Sequence, residues 1–215
     1  MRAKTSFLCQ TCGYQSPRWL GRCPDCGGWN SMKEERLQVS GRGRPPVLKI
    51  GVSKATPIED IEAVGENRRP SGIGEFDRVL GGGVVPGSVV LIGGDPGIGK
   101  TTLLLQALPR LISDGEIVLY VSGEESPRQM KMRGQRLGIS HPALYVLAET
   151  SLEEILKTIQ ELQPAAVVVD SIQTVYTDQI TSAPGSISQV RECASRLQHV
   201  AKHQGIPVFI VGHVT

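Results

Sequence analysis

The sequence predicts an α/β fold with a mainly parallel sheet, preceded by a small metal-stapled ribbon. Three observations carry this expectation. Short apolar runs alternate with segments of helical spacing over most of the chain, four of the five cysteines stand as two Cys-x-x-Cys pairs near the start, and a glycine-rich turn ending in Lys-Thr falls between an expected strand and an expected helix. Such alternation gives parallel strands joined by right-handed crossovers.

At 215 residues the chain has room for one ordinary domain and a small module, and its 40% hydrophobic content fits a globular protein. The net charge of +2 points neither towards nor away from a nucleic-acid partner, so local patches must decide. "MRAKTSFLCQ" has no apolar targeting segment, and no apolar run approaches the roughly 18 residues of a membrane helix. A cytoplasmic protein without membrane contact is expected. Thiols there are kept reduced, so paired cysteines read as metal ligands before disulfides.

Cys9, Cys12, Cys23 and Cys26 form C-x2-C-x10-C-x2-C. Two intervening residues let a tight turn aim both sulfurs of a pair at one ion, which suits tetrahedral Zn²⁺. Gly13 and Gly27 each follow a pair, where the chain must turn back beneath the metal. A segment this short buries little, so the metal would supply the folding free energy. Four thiolates leave no open position, which makes the site structural. Two redox-active pairs or a disulfide framework are the alternatives. Cys193, in a helical pattern far along the chain, reads as a small buried side chain. Trp19 and Trp29, with Arg18 and Arg22, either stack on bases and hold phosphates or pack onto the ribbon's thin core. Packing is preferred for Trp29, and Trp19 stays open.

Periodicity then fades. Residues 32–56 carry Gly, Pro and unpaired basic residues and are expected to link a ribbon over 1–31 to a second domain over 57–215. Arg42, Arg44, Lys49 and Lys54 could touch a phosphate backbone, although such a run is more often simply solvated.

Beyond the linker, "SVVLIGG" is an apolar strand, "KTTLLLQALPRLIS" a helix, "IVLYVSG" a strand, "SPRQMKMRGQRLG" a polar helix and "ALYVLA" a strand. "SLEEILKTIQEL" opens with Ser151 as expected N-cap and Glu154 as the far side of a capping box. "AAVVVDS" is a buried strand, "SISQVRECASRLQHVAKHQG" a helix that stops at a glycine, and "IPVFIVGH" the last strand. Strands so uniformly apolar are covered on both faces.

Gly94-Asp95-Pro96-Gly97-Ile98-Gly99-Lys100-Thr101, followed by Thr102, fits G-x-x-x-x-G-K-[ST] between a strand and a helix. The glycines let several backbone N–H groups converge on one phosphate, beside the positive end of the following helix. An ATP site is expected, with Lys100 reaching the β- and γ-phosphates and the Thr101 hydroxyl in a Mg²⁺ shell. Asp170, at the tip of a buried strand, is the expected second Mg²⁺ partner, unless it only ends its strand. Ligands of open parallel sheets bind beyond the carboxyl ends of the strands, so the glycine-rich loop, Glu124, Asp170 and His213 should share one edge. A carboxylate there would orient an attacking water and take its proton, and Glu124, nearer its strand, is preferred to Glu125. His213 would sense the γ-phosphate or merely close its strand. A Mg²⁺-dependent ATP hydrolase is the expectation.

These residues resemble the bacterial RadA (Sms) family of DNA-repair ATPases in the RecA superfamily. The likeness covers nearly the whole chain, through "CGGWN", "GEFDRVLGGGVVPGSVVLIGGDPGIGKTTLLLQ", "LYVSGEES", "VVVDSIQTV" and "VGHVT". It implies a RecA-like P-loop core that assembles as a hexameric ring and acts as a DNA-dependent ATPase on single-stranded DNA. It further implies branch migration of branched DNA during recombination, with a recombinase as a candidate partner. By the same resemblance Gly94 to Thr102 bind ATP, Asp170 is the Walker B acid, Glu124 the catalytic glutamate and His213 a γ-phosphate sensor. "TVYTDQITSAPGSISQ" falls where the family places a loop facing the ring's channel; its composition suits mobility, and it holds no Lys or Arg before Arg191. Family members continue past "GHVT" to a "KNRFG" motif and a domain resembling the Lon protease, so the sequence, ending at Thr215, is expected to be an incomplete copy in which ATP binding outlasts motor activity. Two other readings stand beside this one: a KaiC-like ATP-driven oligomeric switch without DNA, and an ATP-binding remnant without turnover.

Overall fold

A computed structural model describes residues 5–36, 55, 57–60 and 67–213. Arg42, Arg44, Lys49 and Lys54 lie outside the described residues.

The amino-terminal ribbon is a three-stranded antiparallel sheet ordered β2-β1-β3, built from β1 (Thr5–Cys9), β2 (Gln15–Ser16) and β3 (Met32–Arg36). Leu8 pairs with Gln15 on one side, and Cys9 pairs with Met32 on the other. β3 extends the ribbon into the stretch expected to begin the linker. The reason is Met32, which is buried with Cys9 and Cys23 while Phe7, Cys12 and Leu20 pack against them. The expected packing of Trp29 into this core is corrected: its side chain is 73% exposed, and Trp19 is 54% exposed. Sulfur and Met32 fill the space that a large ring would need.

After an exposed turn at Ile58–Asp60, a two-way backbone bridge between Arg69 and Val84 ties the chain to the second domain. The Arg69 guanidinium grips both oxygens of Glu116 at 2.5 and 2.8 Å. A short helix, α1 (Gly74–Val79), leads into β4 (Val89–Gly94), α2 (Lys100–Ala107), β5 (Val118–Ser122) and α3 (Pro127–Arg136). Then come β6 (Leu144–Ala148), α4 (Leu152–Leu162), β7 (Ala166–Asp170), α5 (Ile187–Gln204) and β8 (Val208–His213). The five strands are parallel and ordered β4-β8-β7-β5-β6.

Side chains alternate across this sheet with the period of two that a strand imposes. Leu119 and Val121 of β5 join Ile155 and Ile159 of α4 and Cys193 and Leu197 of α5 on one face. Val118 and Tyr120 join Leu104 and Leu105 of α2 and Met130 of α3 on the other, with Val168 and Phe209. Burial of a side chain such as Phe209 contributes about 1.5–3 kcal/mol. The three central strands are buried almost throughout, whereas β4 and β6, at the edges, are only partly covered.

Helix ends follow local chemistry. Pro109 lacks the N–H that would continue α2, and the chain tightens into a 3-10 turn over Leu108–Leu111. α5 stops at Gly205, whose φ of 69° suits a left-handed cap. The capping box expected at Ser151 does not form, because Glu149 accepts from the Thr150 and Ser151 N–H groups at 2.7 and 2.8 Å instead. A complete capping box does form at Ser126 and Gln129, at the start of α3; the Ser-x-x-Gln spacing was its signal.

Candidate nucleotide site and metal centre

Three parallel strands and one glycine-rich loop deliver the candidate residues to one sheet edge. β4 ends at Gly94, and the turn that follows reaches α2 through Gly97 and Gly99, with φ of 82° and 108°. Both glycines take the positive φ that a residue with a Cβ resists. Asp95, Pro96 and Ile98 form the loop's outer surface, and Thr102 sits half-buried in the first turn of α2.

Lys100 is buried at 8% exposure and points back into the loop. Its Nζ donates to the carbonyls of Gly94 and Asp95 at 2.7 and 2.9 Å, and lies 3.3 Å from His213 Nδ1. A lysine ammonium can only donate, so Nδ1 is the acceptor and His213 Nε2–H faces Glu124 Oε1, 3.3 Å away. Thr101 Oγ1 donates to Asp170 Oδ2 at 2.7 Å, and the Tyr120 hydroxyl donates to the same oxygen at 2.5 Å. Burial and then the Asp170 charge raise the Tyr120 phenol far above its ordinary range, so it remains a donor.

The two glutamates after β5 part company. Glu124 Oε1 accepts from the buried Ser171 hydroxyl at 2.7 Å. That bond, opposed by partial burial and aided by His213, lowers the Glu124 carboxyl below its usual range and keeps it ionised. Glu125 is instead clasped by Arg133 of α3 and takes its backbone anchor from Ser122 Oγ at 2.9 Å. Gly123 makes the close approach of these two segments fit: its N–H donates to the Asp170 carbonyl at 2.8 Å, and a Cβ there would overlap the Thr174 hydroxyl.

In the ribbon, Gly13 N–H donates to the Cys9 carbonyl at 2.8 Å and Gly27 N–H to the Cys23 carbonyl at 3.0 Å. Two matching turns thus present two pairs of sulfurs, with φ of 76° at Gly13 and 73° at Gly27. All four Sγ atoms lie within 4.8 Å of one another, Cys9 to Cys26 at 3.7 Å and Cys12 to Cys23 at 3.5 Å. A tetrahedral ion with bonds of about 2.3 Å requires sulfurs roughly 3.8 Å apart, so the set fits Zn²⁺. The thiols are unequal on their own. Burial disfavours the Cys9 thiolate, but hydrogen bonding with Ser31 and with the backbone at Cys12 and Thr11 brings it down to about 5. A backbone bond at Tyr14 favours the Cys12 thiolate, yet burial and the surrounding sulfurs push it up to about 12. A dication at the centre lets all four ionise. Arg191 of α5 donates to the carbonyls of Cys12 and Gly13 at 3.3 and 3.2 Å, linking the ribbon to the second domain.

Comparison with known proteins agrees with both halves. The family described as a rubredoxin metal-binding domain, a zinc ribbon, matches residues 7–34, and the KaiC ATPase family matches residues 69–146. The chain is 56% identical over 217 residues to the DNA repair protein RadA of Bacillus subtilis, covering 100% of this chain and 47% of the relative. The chain belongs to the RadA family. RadA of Listeria monocytogenes is 54% identical over 212 residues, covering 98% of this chain and 46% of the relative. The chain therefore spans about half the length of the curated relatives it matches. A crystal structure of a KaiC-like protein from Pyrococcus horikoshii shares the fold, with a TM-score of 0.57, 21% identity, and coverage of 69% of this chain and 73% of that one. No helix among the described residues is long and apolar enough to cross a membrane.

Lys100, His213 and Glu124 thus form one hydrogen-bonded set and Thr101 and Asp170 another at the same sheet edge, with Glu125 turned aside to Arg133. Sequence reasoning missed Ser171, Tyr120 and Gln173, whose amide donates to the His213 carbonyl at 3.1 Å. Ser171 stands directly after Asp170 at a strand end, which was a usable signal. Tyr120 was hidden among apolar neighbours. Buried Gln189 was also missed; its amide reaches the carbonyls of Thr177, Ile180 and Ser182 at 2.9–3.2 Å and accepts from Thr177 N–H at 2.9 Å. The first half of the Thr174–Gln189 segment, expected to be mobile, is thereby fastened to α5.

Proposed function

We propose that this chain is a Mg²⁺-dependent ATPase of DNA repair whose turnover responds to single-stranded DNA. The observation that carries the reading is the linked set Lys100–His213–Glu124 beside Thr101–Asp170, gathered at the sheet edge where the parallel strands end and α2 begins. Thr101 and Asp170 offer two oxygens to Mg²⁺, and the backbone N–H groups around Gly97 and Gly99 fit phosphate oxygens. Bound Mg²⁺ neutralises charge on the β- and γ-phosphates. Lys100, which leans on two carbonyls, exchanges these for phosphate oxygens. Glu124, ionised and held by Ser171, orients a water and accepts its proton. His213 bridges Lys100 and Glu124 and so registers whether the γ-phosphate is present.

The DNA part of the proposal is supported by relatives named as DNA repair proteins. Within it belong a hexameric ring, single-stranded and branched DNA as substrates, branch migration and a recombinase partner. The KaiC family match over residues 69–146 favours a second reading, an ATP-driven oligomeric switch without DNA.

Phosphate release from Mg·ATP, with and without single-stranded DNA, separates them. Stimulation by DNA is expected, and Lys100→Ala should abolish release. Turnover that ignores DNA supports the switch, and turnover retained by Lys100→Ala overturns the nucleotide site.

A further inference from the structure

The ribbon keeps its largest side chains outside. Among the described residues its exposed large apolar side chains are all aromatic: Tyr14 at 37%, Trp19 at 54% and Trp29 at 73% exposure. Tryptophan is normally well covered in folded proteins, and in this ribbon the cysteine sulfurs and Met32 form the buried centre without a ring. Trp29 is nevertheless held. Its residue bridges antiparallel to Arg22, whose guanidinium carbon lies 5.8 Å from the ring centroid while its Nε donates to the Gly27 carbonyl at 3.1 Å. A cation thus backs one face of the ring and leaves the indole outward.

The chemistry around the rings selects a ligand. Arg22 lies over Trp29 and Arg18 directly precedes Trp19 in the chain; both are exposed, and neither has an acidic partner among the described residues. Asp25 is the one carboxylate between Thr5 and Lys33. No exposed leucine, isoleucine or valine of the ribbon joins the rings into the continuous apolar patch that the core of a protein interface uses. Exposed aromatic faces, one of them backed by an arginine and the other preceded by one in the chain, match unstacked bases strung on a phosphate backbone.

We propose that the ribbon binds single-stranded DNA by stacking bases on Trp29 and Trp19, with Arg18 and Arg22 on the phosphates. The choice of DNA over another polyanion with bases rests on the DNA-repair reading above; the stacking site itself rests on the exposed rings and arginines.

The test is internal to the protein, because the chain's two tryptophans are both in the ribbon. Their emission is titrated with an oligothymidylate on the zinc-loaded chain, with duplex DNA as the comparison. Saturable quenching is expected with the single strand and not with the duplex, whose base faces are covered. Trp29→Ala should weaken binding about five- to a hundredfold, with Trp29→Phe keeping most of it. Zinc content at one equivalent in each variant shows that the ribbon remains folded. Emission that stays flat, or a Trp29→Ala variant that binds as the parent does, overturns the proposal and leaves the rings to a protein surface. DNA-stimulated phosphate release alongside flat emission would remove this site and leave the ATPase reading intact. Quenching without any ATP turnover would do the reverse.

Discussion

The ribbon and the sheet domain reach a fixed shape by opposite means. The sheet domain sandwiches its strands between two apolar layers and buries Phe209 and Tyr120 completely. The ribbon buries little beyond Leu8, Met32 and two of its cysteines, and leaves both tryptophans in solvent. The difference teaches what each region can spare. Where hydrophobic layers hold the fold, strand ends are free to carry polar chemistry, and Lys100, Glu124, Asp170 and His213 gather there. Where four sulfurs hold the fold, large rings are released to the surface.

The sharpest break between the regions is metal removal. A strong chelator should unfold residues 7–30 and leave the parallel sheet intact, because metal binding in the ribbon is folding free energy. Amide spectra recorded before and after chelation check it. Ribbon signals that do not move would mean that its small core suffices without zinc.

A smaller effect probes the polar edge. The Glu124 carboxyl lies below its usual 4.5, chiefly through the Ser171 hydroxyl. A depressed carboxylate contributes stability that is present above its unfolded pKa and lost as pH falls through the folded value. The charge that the proposed base needs persists over the same range. Ser171→Ala removes that hydrogen bond and leaves burial less opposed, so the acid limb of phosphate release should move to higher pH with little change at neutral pH. A pH–rate profile that coincides with the parent would place the control of Glu124 elsewhere.

Much of this was legible in the sequence, for identifiable reasons. The cysteine spacing, the glycine-rich loop and the apolar runs are short-range patterns, and the ribbon, loop and strands formed where those patterns stood. Asp170 and Glu124 could be placed at one edge because parallel topology sends all strand ends the same way. What escaped depended on contacts between distant segments. Ser171 meets Glu124 across 47 positions and Tyr120 meets Asp170 across 50, with no local signature for either. Trp29 was misjudged because counting apolar residues treats a ring as core material, whereas sulfur and Met32 already occupied that space. Ser151 lost its capping role to Glu149, a competitor two residues upstream that the Ser-x-x-Glu spacing does not consider.

The most direct test of the nucleotide site compares Glu124→Gln with Glu125→Gln, measuring equilibrium ATP binding and phosphate release on each. Glu124→Gln should bind ATP as the parent does and release phosphate far more slowly, while Glu125→Gln, whose parent side chain pairs with Arg133, keeps turning over. If Glu125→Gln stops release and Glu124→Gln does not, the assignment of the base, and with it the Ser171–Glu124–His213 arrangement as the catalytic edge, is contradicted.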